Sequence, residues 1–268
     1  MRSFSPSWSG ARGAVRQDTA VTDDLQLALG LADAADAITL PRFRAVDLRV
    51  DTKPDRTPVT EADRAVERAL RERLASARPR DAVLGEEEGA TADAAGGHRW
   101  IVDPIDGTKN YSRGIPVWFT LVALEVDGDV AVGVASAPAL GRRWWAARGA
   151  GAFANGTPMH VSNVERIEDA VVSFSGSSRA IVEPLLARAW HAQGYSDAWS
   201  HLLVAEGSVD VSVEHVLSPW DVAALVPIVE EAGGRMTDVD GNRPVGGRGA
   251  LTTNGVLHDA VLAELAQL

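Results

Sequence analysis

The sequence predicts an α+β half joined to an α/β half, and three observations carry that reading. Two segments of helical period come first, at residues 23–38 and 60–74. Apolar runs joined by Asp127-Gly128 and Asn155-Gly156 fill residues 100–162. Beyond residue 170, strand-like and helix-like segments alternate. Asp-Gly and Asn-Gly accept the left-handed backbone of tight hairpin turns, so the middle reads as an antiparallel meander. The alternation behind it reads as strands with crossover helices.

In order, residues 1–20 carry neither a periodic pattern nor an apolar stretch, and are expected to form a flexible tail rather than a signal peptide. Thr22 or Asp23 is placed to cap a helix carrying Leu25, Leu27, Ala28, Leu31, Ala35 and Ile38. A strand-like piece at 47–51 and a proline-broken loop at 53–60 follow. Thr60 and Asp63 then form a capping box for a helix with Val66, Leu70 and Leu74 behind it. Val83-Leu84 reads as a short strand ending at Gly85-Glu86-Glu87-Glu88, and residues 90–98 as a surface loop. Trp100 to Val102 is the end of a buried strand, and Gly107-Thr108 opens a helix. Strands at 117–126, 130–135, 143–147 and 151–159 continue the meander. A strand at 171–174, helices at 177–191 and 197–206, and a strand at 209–213 come next. Ser218-Pro219-Trp220-Asp221 starts a helix with Pro219 in its first turn, which runs past Val229 to Gly233-Gly234. A strand at 236–239, a turn at Asp240-Gly241, a strand at 250–253 and a helix at 257–265 complete the chain. The expected division is 21–162, an α+β part with the antiparallel sheet and a metal site, and 163–268, an α/β part completing that site.

Composition narrows the function. A chain of 268 residues, 46% hydrophobic and 24% charged, can bury a sizeable core. A net charge of −11 without a basic stripe argues against nucleic acid as the partner. The absence of cysteine removes disulfides, thiolate catalysis and cysteine-based zinc sites, and fits a cytoplasmic protein. No apolar run approaches the roughly 20 residues of a membrane span.

The chemistry concentrates in residues 100–110. Pro104 biases Asp103 to an extended backbone, Asp106 follows three residues after Asp103, and Gly107-Thr108 begins a helix. Carboxylates attract hard cations, and the free N–H groups of a helix start attract phosphate oxygens. A site for both is a phosphoryl-transfer site. Singly, each acid has another explanation: Asp63 caps a helix, Asp106 suits an Asx turn, and Asp221 sits where a helix dipole favours a negative charge. Together, Asp-Pro-x-Asp-Gly-Thr is far too specific to be an accident of composition. The histidines at 98, 191, 201, 215 and 258 show no ligand spacing.

Gly85-Glu86-Glu87, residues 100–110, Trp220-Asp221-Val222-Ala223-Ala224 and Glu230-Ala232-Gly233-Gly234 resemble the inositol monophosphatase superfamily from about residue 23 to the C-terminus. The resemblance implies a layered αβαβα sandwich and a lithium-sensitive phosphatase using two or three Mg2+ ions. By that resemblance Glu86, Asp103 and the Ile105 carbonyl hold the first ion, and Asp103, Asp106 and Asp221 the second. Asp63 stands near a weaker third ion, with Glu87 as a water-mediated neighbour. Asp106, Gly107 and Thr108 cradle the phosphate, and Thr108 orients the attacking water, so Glu86, Thr108 and Asp63 are the expected catalytic set. Asp197, Ser196 and Glu214 fall where the family contacts the leaving alcohol, with Ser196 replacing a usual glycine. Residues 114–118 and 142–149 are similar to the actinobacterial histidinol-phosphate phosphatase branch. The expected substrate is therefore L-histidinol phosphate, whose cationic groups Asp197 and Glu214 would meet. Inositol monophosphate or a broad set of sugar phosphates is the alternative, and a regulatory binding protein with dispensable catalysis is the alternative from another class. The resemblance also implies a homodimer. The Trp144-Trp145 pair is expected to pack on the sheet.

Overall fold

The computed structural model describes residues 19–91, 97–175, 178–195 and 197–266. Helix α1 (Thr19–Arg42) begins earlier than its sequence pattern suggests, so Thr22 and Asp23 lie within it rather than capping it. The expected strand and loop before α2 form a hairpin of β1 (Val50–Thr52) and β2 (Pro58–Thr60). The capping box is present at α2 (Glu61–Ala77): Thr60 Oγ1 accepts from the Ala62 and Asp63 N–H groups, and the Thr60 N–H donates to Asp63 Oδ2 at 2.8 Å.

Strands β3 (Ala82–Gly85), β4 (Gly89–Ala90) and β5 (His98–Asp106) lead to the short helix α3 (Thr108–Ser112). Strands β6 (Phe119–Val126), β7 (Asp129–Ala137), β8 (Arg142–Ala147), β9 (Gly151–Ala154) and β10 (Thr157–Pro158) complete an eight-stranded sheet in the order β10-β9-β8-β7-β6-β5-β3-β4. This is the expected meander, with Asp127 (φ 51°) and Asn155 (φ 48°) in the left-handed turn positions. In this sheet, among the described residues, only β3 and β5 form a parallel pair. Part of the expected surface loop, residues 92–96, lies outside the described residues.

The second sheet has five strands: β11 (Val171–Phe174), β12 (His191–Gln193), β13 (Val211–Glu214), β14 (Arg235–Thr237) and β15 (Ala250–Thr253), ordered β12-β11-β13-β15-β14. Helix α4 (Arg179–Arg188) is shorter than expected because His191 leaves it to pair with Val171 as an edge strand. Helix α5 (Asp197–Ala205) precedes β13, and α8 (His258–Leu265) ends the fold.

One long helix was expected after Ser218. The structure has two, α6 (Pro219–Val222) and α7 (Leu225–Glu231). Pro227 has no N–H for the Ala223 carbonyl and its ring would crowd that oxygen, so the helix cannot run through. The break lies close against the sheet: a Cβ on Gly133 of β7 would stand 2.1 Å from the Ala224 carbonyl oxygen.

Five layers result. Helices α1 and α2 cover one face of the large sheet through Leu31, Leu70, Leu74, Trp100 and Val134. Helices α5 and α7 cover the other face through Phe119, Leu121, Leu202 and Ile228, where Trp144 is also buried, while Trp145 stacks on Phe153. The small sheet follows, and α4 and α8 close its far side through Val182, Leu185, Val211 and Val261. Among the described residues no helix is long and apolar enough to cross a membrane.

Candidate active site

A regular strand would put Asp103 and Asp106 on opposite faces, because side chains alternate. Strand β5 does not end at Val102 as the sequence suggested; it runs on to Asp106 through a bulge. Asp103 pairs with Leu121 and Asp106 with Phe119, so three steps on β5 oppose two on β6. Pro104 sits in the bulge, where its missing N–H costs no ladder bond, and its carbonyl accepts the Thr120 hydroxyl at 2.8 Å. The extra residue turns both carboxylates to one side. Asp221 joins them from α6, where it also accepts the Ser218 N–H at 2.6 Å. Carboxylate oxygens of Asp103, Asp106 and Asp221 lie within 4.8 Å of one another.

Glu86, in the turn after β3, is close enough that its charge raises the pKa of both Asp103 and Asp221. Its own carboxylate is turned toward Lys53, whose Nζ lies 2.7 Å from Glu86 and 2.6 Å from Glu87. The proline-broken loop thus brings a cation to the site that no sequence signal had marked. The Ile105 carbonyl and Asp63 Oδ1 both face the Thr108 hydroxyl, at 2.8 and 3.1 Å. Asp63 is therefore both a helix cap and a neighbour of the acids, as its buried side chain and the Thr108 contact require. Gly107 holds φ at +81°, and a Cβ there would press on the Val117 carbonyl at 3.2 Å, so this residue has to be glycine. The leading N–H groups of α3 have no intrahelical acceptor.

Asp197 lies beside this cluster. It opens α5 in the left-handed region (φ 54°), a conformation that costs a non-glycine residue about 1 kcal/mol. The Asn110 Nδ2 donates to Asp197 Oδ2 at 3.2 Å, and the next N–H, of Ala198, donates to Asp106 Oδ2 at 2.8 Å. Glu214, at the end of β13, is 4% exposed; its Oε1 lies 3.1 Å from the Ser200 hydroxyl and 3.9 Å from His201 Nε2. Ser196 lies outside the described residues. A cleft of about 760 Å³ opens over these groups, lined also by Lys109, Ser175, Tyr195 and Trp220. Lys109 and Asn110 were legible as part of the motif; His201, at the cleft floor, was read as an isolated histidine.

The electrostatics are those of an anionic pocket short of positive charge. Burial, then repulsion from Glu86 and the neighbouring aspartates, holds Asp103 well above the carboxylate range; burial and Asp197 do the same to Asp106. Burial pushes Asp221 up to about 6 and, with Asp197, pushes Glu214 up to about 8. Asp103 is 1% exposed and its Oδ1 has no hydrogen-bond partner. An oxygen-only donor set with an orphaned buried carboxylate oxygen fits a hard divalent cation.

These shifts set a pH dependence. A carboxyl whose folded pKa is raised stabilises the fold most at pH below its unfolded pKa and loses that contribution as pH rises through the folded value. Burial lowers His201 and His258 to about 4, so both are neutral in the folded protein, and above about pH 7.5 they are almost neutral in the unfolded chain as well and add little slope. From about pH 7.5 through about pH 8 the metal-free protein is therefore expected to lose thermal stability. Magnesium must displace protons from these acids, so it should raise Tm more at the higher pH. Differential scanning fluorimetry with EDTA or Mg2+ checks this; a metal-independent, flat profile would contradict it.

The sheet order, the bulged strand and the acid cluster define a phosphatase architecture, and the chain belongs to the Inositol monophosphatase family, matched over residues 21–268. It is 53% identical to the histidinol-phosphatase of Mycobacterium tuberculosis, with 91% of this chain and 98% of that protein covered. It is 48% identical to the histidinol-phosphatase of Streptomyces coelicolor, covering 91% and 97%. An inositol monophosphatase structure from Zymomonas mobilis superposes with a TM-score of 0.81 at 31% identity, covering 92% of this chain and 99% of that one.

Proposed function

We propose that this chain is a magnesium-dependent phosphomonoesterase that hydrolyses L-histidinol phosphate to L-histidinol and phosphate. The observation that carries the catalytic part is the convergence of Asp103, Asp106 and Asp221, with an Asp103 oxygen left unpaired. Identity of 53% and 48% to two histidinol-phosphatases supports the substrate. So does the cleft, whose acidic lining by Glu214 and Asp197 suits a leaving alcohol that carries an ammonium and an imidazole.

Glu86, Asp103, Asp106 and Asp221, with the Ile105 carbonyl, would hold two Mg2+ ions, and Asp63 would stand beside a third. When bound, the ions stabilise charge on the phosphoryl oxygens and make a water easier to deprotonate. The chain's own residues do the rest. The Gly107 and Thr108 N–H groups bind phosphate oxygens. The Thr108 hydroxyl, held by Asp63 and the Ile105 carbonyl, orients the attacking water in line with the ester oxygen and passes its proton toward Asp63. Asp197 and Glu214 hold the alcohol by its cationic groups.

The test is phosphate release with Mg2+ on a panel of histidinol phosphate, inositol monophosphate, sugar phosphates and an aryl phosphate. Turnover strongest on histidinol phosphate is the expected result. Equal turnover on inositol phosphate would move the assignment to a broad phosphatase, and none on any ester would favour a regulatory binding role. A homodimer is the expected assembly, and a monomer mass by light scattering would overturn it.

A further inference from the structure

A buried carboxylate outside the acid cluster has no part in the reaction as derived above. Glu67 of α2 is 0% exposed. Its Oε2 accepts the Glu87 N–H at 2.7 Å and its Oε1 the Glu88 N–H at 3.0 Å. One helical turn on, Arg71 donates from Nε and Nη2 to Glu67 Oε1 at 3.0 and 2.7 Å and also reaches the Gly89 carbonyl. Arg71 Nε stands 3.5 Å from the Glu88 carboxylate as well. The turn that carries Glu86 is therefore gripped at its N–H groups and at a carbonyl by one (i, i+4) pair. Gly85 makes room for the grip, since a Cβ there would stand 2.2 Å from Glu67 Oε1.

A buried carboxylate is costly unless its hydrogen bonds are satisfied, and these are satisfied entirely by this turn and Arg71. Three consecutive glutamates repel one another, and left free the turn would spread them into solvent. Anchoring the Glu87 and Glu88 N–H groups fixes where Glu86 leaves the backbone, between Lys53, which its carboxylate meets, and Asp103 and Asp221, whose pKa values its charge raises. We infer that Glu67, clamped by Arg71, is a positioning residue for divalent-cation binding, acting through the Glu86 turn. The inference rests on Glu86 being a cation ligand. Partners that orient a ligand typically change metal affinity about 10- to 100-fold.

The experiment is calorimetric titration of Mg2+ into the full chain, alongside the Mg2+ concentration giving half-maximal phosphate release. Glu67→Gln keeps the shape but replaces one accepting oxygen with a donor that faces N–H groups or Arg71. It is expected to weaken Mg2+ binding about 10-fold or more, with kcat recovered at saturating Mg2+. Gly85→Ala, which displaces Glu67, should give the same weakening. Because both act through one network, the double variant should bind no more weakly than the worse single one. A lower Tm with Mg2+ affinity unchanged, or single-variant effects that multiply in the double variant, would overturn the inference. If Glu67→Gln fails to fold, Gly85→Ala and Arg71→Lys, which loses the guanidinium fork, carry the same test. Glu86→Gln separates the two levels. Weakened binding there with none in Glu67→Gln sinks the positioning role alone; unchanged binding in Glu86→Gln sinks the ligand assignment and the inference with it.

Discussion

Asp103→Asn is expected to lower kcat on histidinol phosphate about 10³-fold or more, the loss of about 4 kcal/mol of transition-state stabilisation. Asp103 is only 1% exposed, and besides burial four other carboxylates, Glu86, Asp106, Asp221 and Asp63, raise its pKa. Its removal takes away a shared oxygen donor at the centre of the cluster. The same change removes a repulsive buried charge, so the metal-free variant should melt higher than the metal-free wild type at about pH 8 while its Tm no longer rises with Mg2+. This pairing of a gain in metal-free stability with a loss of catalysis is what a ligand site predicts. A structural aspartate would show the opposite, a lower Tm with turnover retained. Near-wild-type kcat would refute the role of Asp103.

Glu214→Gln is expected to raise KM for histidinol phosphate about 10²-fold, close to the ~3 kcal/mol of a desolvated charge pair, while an aryl phosphate loses little. Among the described residues, Glu214 meets no lysine or arginine within ion-pair distance; its near neighbours are the Ser200 hydroxyl and His201, which burial keeps neutral. A carboxyl pushed up to about 8 by burial and by the neighbouring Asp197 is suited to a cationic ligand, whose arrival would restore its ionised form. Parallel KM measurements on the two esters decide the matter. Equal losses on both would make Glu214 a structural residue rather than a reader of the alcohol.

Much of this architecture is legible in the chain because its signals are local. The Asp127-Gly128 and Asn155-Gly156 turns set the meander, Thr60 and Asp63 set the start of α2, and Ser218-Pro219 set the start of α6. The places where the reading slipped are those where a distant partner decides. His191 abandons α4 for a ladder with Val171. Glu86 turns to Lys53 across the β1–β2 hairpin rather than standing alone among acids. The apolar pattern runs unbroken across Pro227, so it does not mark the break between α6 and α7.

The sequence by itself determined the chemistry: which side chains are oxygen donors, that no thiol competes with them, and that a helix must open at Gly107-Thr108. Spacing along the backbone and turn preference are enough for that. Tertiary structure alone decided how those donors meet. The bulge at Pro104 sets Asp103 and Asp106 on one side, packing of α6 against the sheet brings in Asp221, and burial against Ser200 and His201 of α5 encloses Glu214 at the end of β13. The reason is physical: a strand's alternation forbids the first meeting, and only long-range burial supplies the energy for the other two.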